Sequence, residues 1–168
     1  MADLSTTDAR VMVRLKSWLP EYVTGGRPVV LAGQELPARV GGTLSAQPGV
    51  LCVGPGEWLL VSENLDVAAL REEIKEDLER QGLALVDLSQ ALAVIRVMGR
   101  GARELLSKGC GLDLHPKSFP PDHCARTRFA AIAAIVHRLA GESVFELYVA
   151  RSHAAYLQSW LADAARDY

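Results

Sequence analysis

The order of apolar and polar positions is clearest from residue 57 onward. Residues 58–61 are a run of bulky apolar side chains typical of a buried strand, and the run ends at polar residues 62–64. The next stretch, up to residue 80, carries an apolar stripe at helical spacing with charged residues between its members, which are Leu70, Ile74 and Leu78. The pattern predicts a strand followed by an amphipathic helix that ends at Gln81-Gly82.

The second half of the chain continues this alternation of strands and helices. Two β-type runs, 83–88 and 91–98, are separated by Ser89-Gln90, and a short helix over 102–108 is closed by Gly109. Prolines then exclude regular structure from 115–122. The remaining residues predict a long strand 126–138, a second strand 144–149 that completes a hairpin, and a final amphipathic helix that begins near Ser152.

The N-terminal third is less regular. Residues 1–8 are polar and predict a flexible terminus, whereas 9–19 place Val11, Leu15 and Trp18 at helical spacing and predict a short helix that Pro20 stops. Residues 20–56 hold five of the eight prolines and many glycines, which indicates short strands and loops.

Taken together, residues 57–166 read βαββα followed by ββα. This order predicts an α+β protein with a split-βαβ, ferredoxin-like sheet, antiparallel or mixed, and helices packed on one face. Residues 9–56 would add the N-terminal helix and short strands. No linker interrupts the pattern, so we expect a single domain over 1–168.

Composition narrows the classes of partner. Lys and Arg number 18 against 20 Asp and Glu, so there is no concentrated positive charge to attract nucleic acid or an anionic membrane. Three cysteines without a CxxC spacing argue against a secreted disulfide framework. Because the longest apolar run, 129–136, is far below the roughly 20 residues of a membrane span, we expect a cytoplasmic protein.

Two motifs suggest a cofactor or a metal, and both fit poorly. Gly99-x-Gly101 lies between a strand and a helix, but Glu104 replaces the third glycine of a dinucleotide fingerprint and would repel phosphate. A thiol and imidazole cluster comes within fifteen residues, yet its spacing is unlike that of structural zinc sites. Its members are Cys110, His115, His123 and Cys124.

Other reactive side chains have ordinary explanations. His137 falls inside a predicted strand and His153 opens the last helix, and neither has a recognised catalytic context. Asp87 and Asp113 stand at the ends of elements, where we expect them to cap turns. No pair of nucleophile and base emerges from the sequence.

Three arginines form the remaining candidate. Arg126 and Arg128 alternate on one strand face beside Phe129, and we expect Arg96 to point from the neighbouring strand region. Three guanidinium groups together could hold a carboxylate or a phosphate. Arginines at strand ends are equally typical of rim contacts to a partner protein, and we favour that interpretation.

Several blocks of residues carry a family likeness. From about residue 50 onward the chain resembles the gamma subunit of heterotetrameric sarcosine oxidase, with the blocks in order and sensible gaps between them. The blocks are Gly54-Pro55-Gly56-Glu57-Trp58-Leu59-Leu60-Val61; Asp87-Leu88-Ser89 leading to Ile95-Arg96-Val97-Met98-Gly99 with Ala102, Leu105 and Leu106; Gly111-Leu112-Asp113-Leu114; and His123-Cys124-Ala125-Arg126-Thr127-Arg128-Phe129-Ala130.

The resemblance implies a fold related to the folate-binding domain of the glycine-cleavage T-protein. It also implies membership of a complex that oxidatively demethylates sarcosine to glycine, forming methylene-tetrahydrofolate and hydrogen peroxide. In that family the FAD, FMN, NAD and tetrahydrofolate sites belong to the alpha and beta subunits, and zinc to the delta subunit. The gamma chain has no cofactor and no active site of its own.

We therefore expect an assembly subunit with alpha, beta and delta partners, which it contacts through Phe119, Arg126, Arg128 and Phe129. The alternative is a separate folate-binding protein of the T-protein or iron–sulfur-maintenance type. A Lys-Gly-Cys-Tyr block would favour that alternative, but here Lys108-Gly109-Cys110 is followed by Gly111-Leu112.

Overall fold

The fold was obtained as a computed structural model, which describes residues 2–7, 10–141 and 143–167. The described residues form twelve strands and five α-helices. In chain order these are β1 (Asp3–Thr7), β2 (Val11–Ser17), α1 (Pro20–Val23), β3 (Val30–Leu31), β4 (Gln34–Glu35), β5 (Thr43–Leu44), β6 (Gly49–Gly54), β7 (Glu57–Ser62), α2 (Val67–Glu73), α3 (Lys75–Arg80), β8 (Leu83–Asp87), β9 (Leu92–Met98), α4 (Ala102–Gly109), β10 (His123–Phe129), β11 (Ile132–Arg138), β12 (Val144–Ala150) and α5 (Ala154–Ala164). Short 3₁₀ helices at Arg151–His153 and Ala165–Asp167 flank α5.

The chain divides into two compact units at the boundary between Ser89 and Gln90, and residues 2–7 belong to the second unit. Each unit has its own sheet and its own cluster of buried apolar side chains. The predicted run 57–166 therefore does not form one sheet, because β7, α2, α3 and β8 lie in the first unit. The α+β class is confirmed, and every strand pairing is antiparallel among the residues that the structure describes.

The first unit contains a five-stranded sheet in the order β5-β6-β7-β2-β8, together with the small β3-β4 hairpin. Its core is formed by one sheet face and by side chains such as Val13, Leu60 and Ile74. The predicted helix over 65–80 is two helices, α2 and α3, which meet at Ile74. Asp66 caps α2, because its Oδ1 accepts from the backbone N–H groups of Ala68 at 2.9 Å and Ala69 at 3.1 Å.

The predicted helix over 9–19 is wrong, because residues 11–17 form the strand β2. This strand pairs with β7 on one side and β8 on the other. Val13, Leu15 and Ser17 are buried, whereas Lys16 between the last two is exposed. The apolar positions of this segment fit the two-residue period of a strand as well as the spacing of a helix, and its β-branched valines favour a strand. Pairing with a strand on each side then selects the strand.

The second unit contains a five-stranded sheet in the order β1-β9-β12-β11-β10. Helices α4 and α5 pack on one face of it through Leu105, Leu106, Leu157 and Leu161, all of which are 0% exposed. No helix in the described part of the chain is long and apolar enough to cross a membrane.

The predicted flexible terminus is wrong for residues 3–7, which form β1 and pair with β9 from Asp3 opposite Met98 to Thr7 opposite Val94. Residues 1 and 8 lie outside the described residues. Because β1 is an edge strand, its pairing comes from backbone hydrogen bonds, and its side chains need no apolar alternation. The apolar pattern therefore gave no signal for it.

The predicted long strand 126–138 is two strands, β10 and β11. The turn between them places Ala130 and Ala131 at φ values of 44° and 71°, in the left-handed region. Two alanines do not predict such a turn, because glycine or asparagine is the usual residue at a left-handed backbone position. β11 and β12 do form the expected hairpin.

The ring of Phe129 fixes the end of α4. It is 0% exposed, and a Cβ built on Gly109 would lie 2.4 Å from its Cζ atom. The backbone N–H of Ala130 donates to the carbonyl of Gly109 at 2.8 Å. The ring also meets Trp160 of α5 edge to face, with centroids 5.3 Å apart. Only glycine permits this approach of helix backbone to an aromatic ring.

We expect Gly109→Ala to lower the free energy of unfolding by about 2 kcal/mol, because the added methyl group overpacks a filled site. Gly111→Ala is the matched control, since a Cβ there meets no atom within 4 Å. Urea denaturation followed by circular dichroism measures both. Equal stability of the two variants would show that the ring moves aside without cost.

Candidate functional site

A row of polar side chains crosses the face of the second sheet that lies opposite α4 and α5. In the register of the strands, Arg96 on β9 stands opposite Glu146 on β12, and Glu146 stands opposite His137 on β11. Ser5 on β1 and Cys124 on β10 extend the row to both edges. We call these five residues the polar row. It reaches across all five strands of the second sheet.

Glu146 is the centre of the polar row. Its Oε1 accepts from Nε and Nη2 of Arg96 at 3.1 and 2.6 Å, and its Oε2 accepts from the hydroxyl of Tyr148 at 2.6 Å. Glu146 is 0% exposed and the side chain of Arg96 is 31% exposed. A buried carboxylate needs this many donors, because its desolvation is costly. The arrangement joins β9 to β12 through side chains and gives each carboxylate oxygen at least one donor.

Sequence reasoning missed Glu146, although a signal was present. It lies in the middle of β12, whose sequence is otherwise apolar or aromatic, and a lone acid in such a strand indicates a buried, paired carboxylate. Arg96 was recognised, but its partner was not. His137, which the sequence places inside a strand without a catalytic context, is 8% exposed and stands opposite Glu146.

The three predicted arginines do not form one anion clamp. Arg126 and Arg128 are exposed on β10, at the edge of the sheet, while Arg96 lies on β9 with β12 and β11 between. Three strand spacings of about 4.8 Å separate β9 from β10 by roughly 14 Å. Arg96 is also paired with Glu146, so of these three arginines it is Arg126 and Arg128 that lie exposed at the β10 edge.

The two predicted phenylalanines are not surface residues. Phe119 is 4% exposed and Phe129 is 0% exposed, and both belong to the core of the second unit. Their rings cannot touch a partner without unpacking the core, so the prediction of direct contact is corrected for both. The ring of Phe129 packs against the end of α4 and against Trp160 of α5.

The predicted cysteine and histidine cluster does not assemble into a metal site. No group of three or more His, Cys, Asp or Glu side chains that could hold a metal occurs among residues 2–7, 10–141 and 143–167. Burial raises the pKa of the Cys52 and Cys110 thiols, which keeps both protonated and weakly nucleophilic at neutral pH. The Gly99-x-Gly101 motif forms the turn into α4, with Gly99 at φ 102°.

Asp87 and Asp113 cap turns, as expected. Oδ1 of Asp87 accepts from the hydroxyl of Ser89 at 2.6 Å and from its backbone N–H at 2.9 Å, and these bonds lower the pKa of Asp87. The pKa of Asp113 is lowered by Ser118 and by the backbone N–H of His115. A carboxyl group whose pKa is lower in the folded than in the unfolded state stabilises the fold at pH values above its unfolded-state pKa. That stabilisation is lost as the pH falls through its folded-state pKa.

The fold defines a class of protein. The chain is similar to a crystal structure of the glycine cleavage system aminomethyltransferase T from Bartonella henselae, with a TM-score of 0.66 and 14% identity. The alignment covers 95% of this chain and 45% of that one. At this identity the likeness concerns the fold alone, and it confirms the predicted T-protein-like fold.

The sequence then gives the family. Residues 28–167 match the sarcosine oxidase gamma subunit family, and the chain belongs to that family. The match begins upstream of residue 50, where the resemblance was recognised in the sequence. The resemblance is therefore confirmed over a longer stretch than the quoted blocks.

Individual relatives agree with this assignment. Sarcosine oxidase subunit gamma from Corynebacterium sp. strain U-96 is 31% identical over 138 residues, and the subunit from strain P-1 is 30% identical. The alignments cover 81% of this chain and 66% of each relative. The structure of heterotetrameric sarcosine oxidase from Corynebacterium sp. U-96 matches with a TM-score of 0.83 and 27% identity, over 97% of this chain and 83% of that one.

We expect Glu146→Ala to lower the free energy of unfolding by about 3 kcal/mol, because it leaves the partly buried guanidinium of Arg96 without its carboxylate. A double-mutant cycle with Arg96→Met measures the coupling, for which we expect about 2 kcal/mol. The exposed pair Arg166 and Asp163, at 80% and 74% side-chain exposure, is the matched control and should show no measurable coupling. Equal coupling in both cycles would contradict a structural role for Glu146.

Proposed function

We propose that this chain is the gamma subunit of a heterotetrameric sarcosine oxidase complex. The observation that carries the proposal is the likeness to the heterotetrameric enzyme from Corynebacterium sp. U-96, which extends over 97% of this chain. The curated relatives bear the same subunit name. The complex oxidatively demethylates sarcosine to glycine and forms methylene-tetrahydrofolate and hydrogen peroxide.

The role of this chain in the complex is assembly and stabilisation rather than chemistry. Its most buried acid, Glu146, is committed to Arg96 and Tyr148. Cys52 and Cys110 are thiols whose pKa is raised. An acid that is paired with its neighbours and thiols that stay protonated support the proposal that this chain has a structural role.

The reaction then belongs to the partner subunits. We propose alpha, beta and delta subunits as partners, with FAD, FMN, NAD and tetrahydrofolate held by alpha and beta and zinc held by delta. None of these groups is assigned to a residue of this chain. The complex is proposed to act in the cytoplasm.

Arg126 and Arg128 are the proposed contact to a partner. Both are exposed on the same face of the edge strand β10, and Arg128 reaches back to the carbonyl of Ala131 at 3.4 Å. An exposed edge strand with two arginines two residues apart presents two guanidinium groups, and guanidinium groups pair well with carboxylates. An acidic surface on a partner subunit fits this pair.

Co-expression with the alpha, beta and delta subunits tests the assembly role. We expect an affinity tag on this chain to capture all three partners, and the chain expressed alone to be colourless. Omission of this chain should lower the yield of the assembled complex. Capture of none of the three partners would contradict the proposal.

The contact surface has its own test. We expect the double variant Arg126→Glu with Arg128→Glu to weaken capture of the partners at least tenfold, because both charges are reversed at the interface. Arg100→Glu with Arg166→Glu makes the same charge change at exposed positions elsewhere in the second unit. Equal loss in both double variants would mean that net charge, rather than the β10 edge, governs assembly.

Calorimetric titration with tetrahydrofolate separates the assembly subunit from a folate-binding protein of the same fold. We expect no binding to the isolated chain at micromolar ligand, since the site is proposed to lie in a partner. Thermal unfolding at increasing tetrahydrofolate concentration is an independent readout, because a ligand that binds only the folded state raises the melting temperature. Micromolar binding would favour the alternative.

A further inference from the structure

A cavity of about 440 Å³ lies within the first unit, lined by residues of that unit. Helix α2 forms one wall, the β3-β4 hairpin a second, and the turn between β5 and β6 a third. The floor is the sheet itself, where Val50 and Leu60 are 4% and 3% exposed. The volume falls in the range of roughly 300–1,000 Å³ that is usual for small-molecule sites.

The deep part of the cavity is aliphatic. Its walls include Leu31, Leu36 and Ile74, which are 6%, 4% and 1% exposed, together with the floor residues. No aromatic side chain lines it among the residues that the structure describes. Walls of leucine, isoleucine and valine fit a saturated hydrocarbon body, since they offer dispersion contacts and no stacking surface.

The mouth carries negative charge. Asp66 and Glu73 both line it and lie seven residues apart, which places their side chains on one side of α2 about 10 Å apart along the helix axis. Asp66 uses Oδ1 to cap the helix, and its second oxygen is not required for that role. Gln34 and Gln47 add amide groups. No Lys, Arg or His lines the cavity in the described part of the chain.

We propose that this cavity binds a small organic cation with a saturated hydrocarbon body. The hydrocarbon lies among the aliphatic walls, and the cationic group lies at the mouth near Asp66 and Glu73. An anionic amphiphile would meet two carboxylates and no basic group at the mouth. The charge at the mouth therefore favours a positively charged ligand over a negatively charged one. Two carboxylates about 10 Å apart are too widely spaced to coordinate one metal ion.

Three probes with the same hydrocarbon chain test the proposal on the full-length chain: n-octylammonium, 1-octanol and octanoate. Titration is followed through the methyl resonances of Leu60 and Ile74, which report binding inside the cavity. We expect octylammonium to bind roughly fivefold tighter than octanol, and octanoate to bind weakest. The preference for octylammonium should shrink as salt is added. No binding, or equal affinity for the three probes, would overturn the proposal.

A plugged cavity tests the location. Ala69 lines the mouth and Ala68, its neighbour on α2, does not, although both are exposed. We expect Ala69→Trp to lower the affinity for octylammonium at least tenfold, because the indole occupies the mouth. Ala68→Trp is the matched control and should leave the affinity within twofold. Equal behaviour of the two variants would overturn the assignment.

Charge variants test the role of the carboxylates. Glu73→Gln and Asp66→Asn remove charge while Asn preserves the helix cap, and we expect the two together to abolish the preference for octylammonium over octanol. Octanol binding should change by less than twofold. Glu72→Gln removes an equal charge from α2 outside the cavity and should leave the preference intact. Loss of preference in Glu72→Gln alone would show a general field rather than a site.

Discussion

The packing of the two helices on the sheet of the second unit depends on the position of one aromatic ring. Phe129 ends β10, lies against Gly109 at the end of α4, and meets Trp160 of α5. Because the ring contacts both helices and the sheet at once, the helices can only pack where glycine permits the backbone to approach. The turn at Ala130 follows directly, tied to the carbonyl of Gly109. β10, which carries the two exposed arginines, ends at this contact.

Much of the architecture could be predicted from the sequence because burial leaves a periodic signal. The strands β7, β9 and β12 and the helices α4 and α5 show it clearly, since each buries a continuous apolar face. The strands β1 and β2 do not. β1 is held by backbone pairing at an edge, and the spacing of apolar residues in β2 fits both a helix and a strand until its two neighbours are known.

The boundary at Ser89 and Gln90 was also invisible in the sequence. The sequence pattern places both flanking strands in one predicted sheet, although β8 pairs with β2 in the first unit and β9 pairs with β1 and β12 in the second. Long-range pairing is information that local pattern does not hold. The same reason explains the site: Arg96 could be recognised from its type, but its partner Glu146 lies fifty residues away and only the register of β9 and β12 joins them.

The polar row also constrains how this family can vary. Glu146 is held from two sides, by a guanidinium on the neighbouring strand and by a hydroxyl on its own. A single replacement at any of the three positions removes a hydrogen-bond partner from a buried polar group, so the path from this triad to an apolar one passes through a less stable sequence. Among relatives we expect positions 96, 146 and 148 to change together, and the triad to persist as a unit or to be lost as a unit.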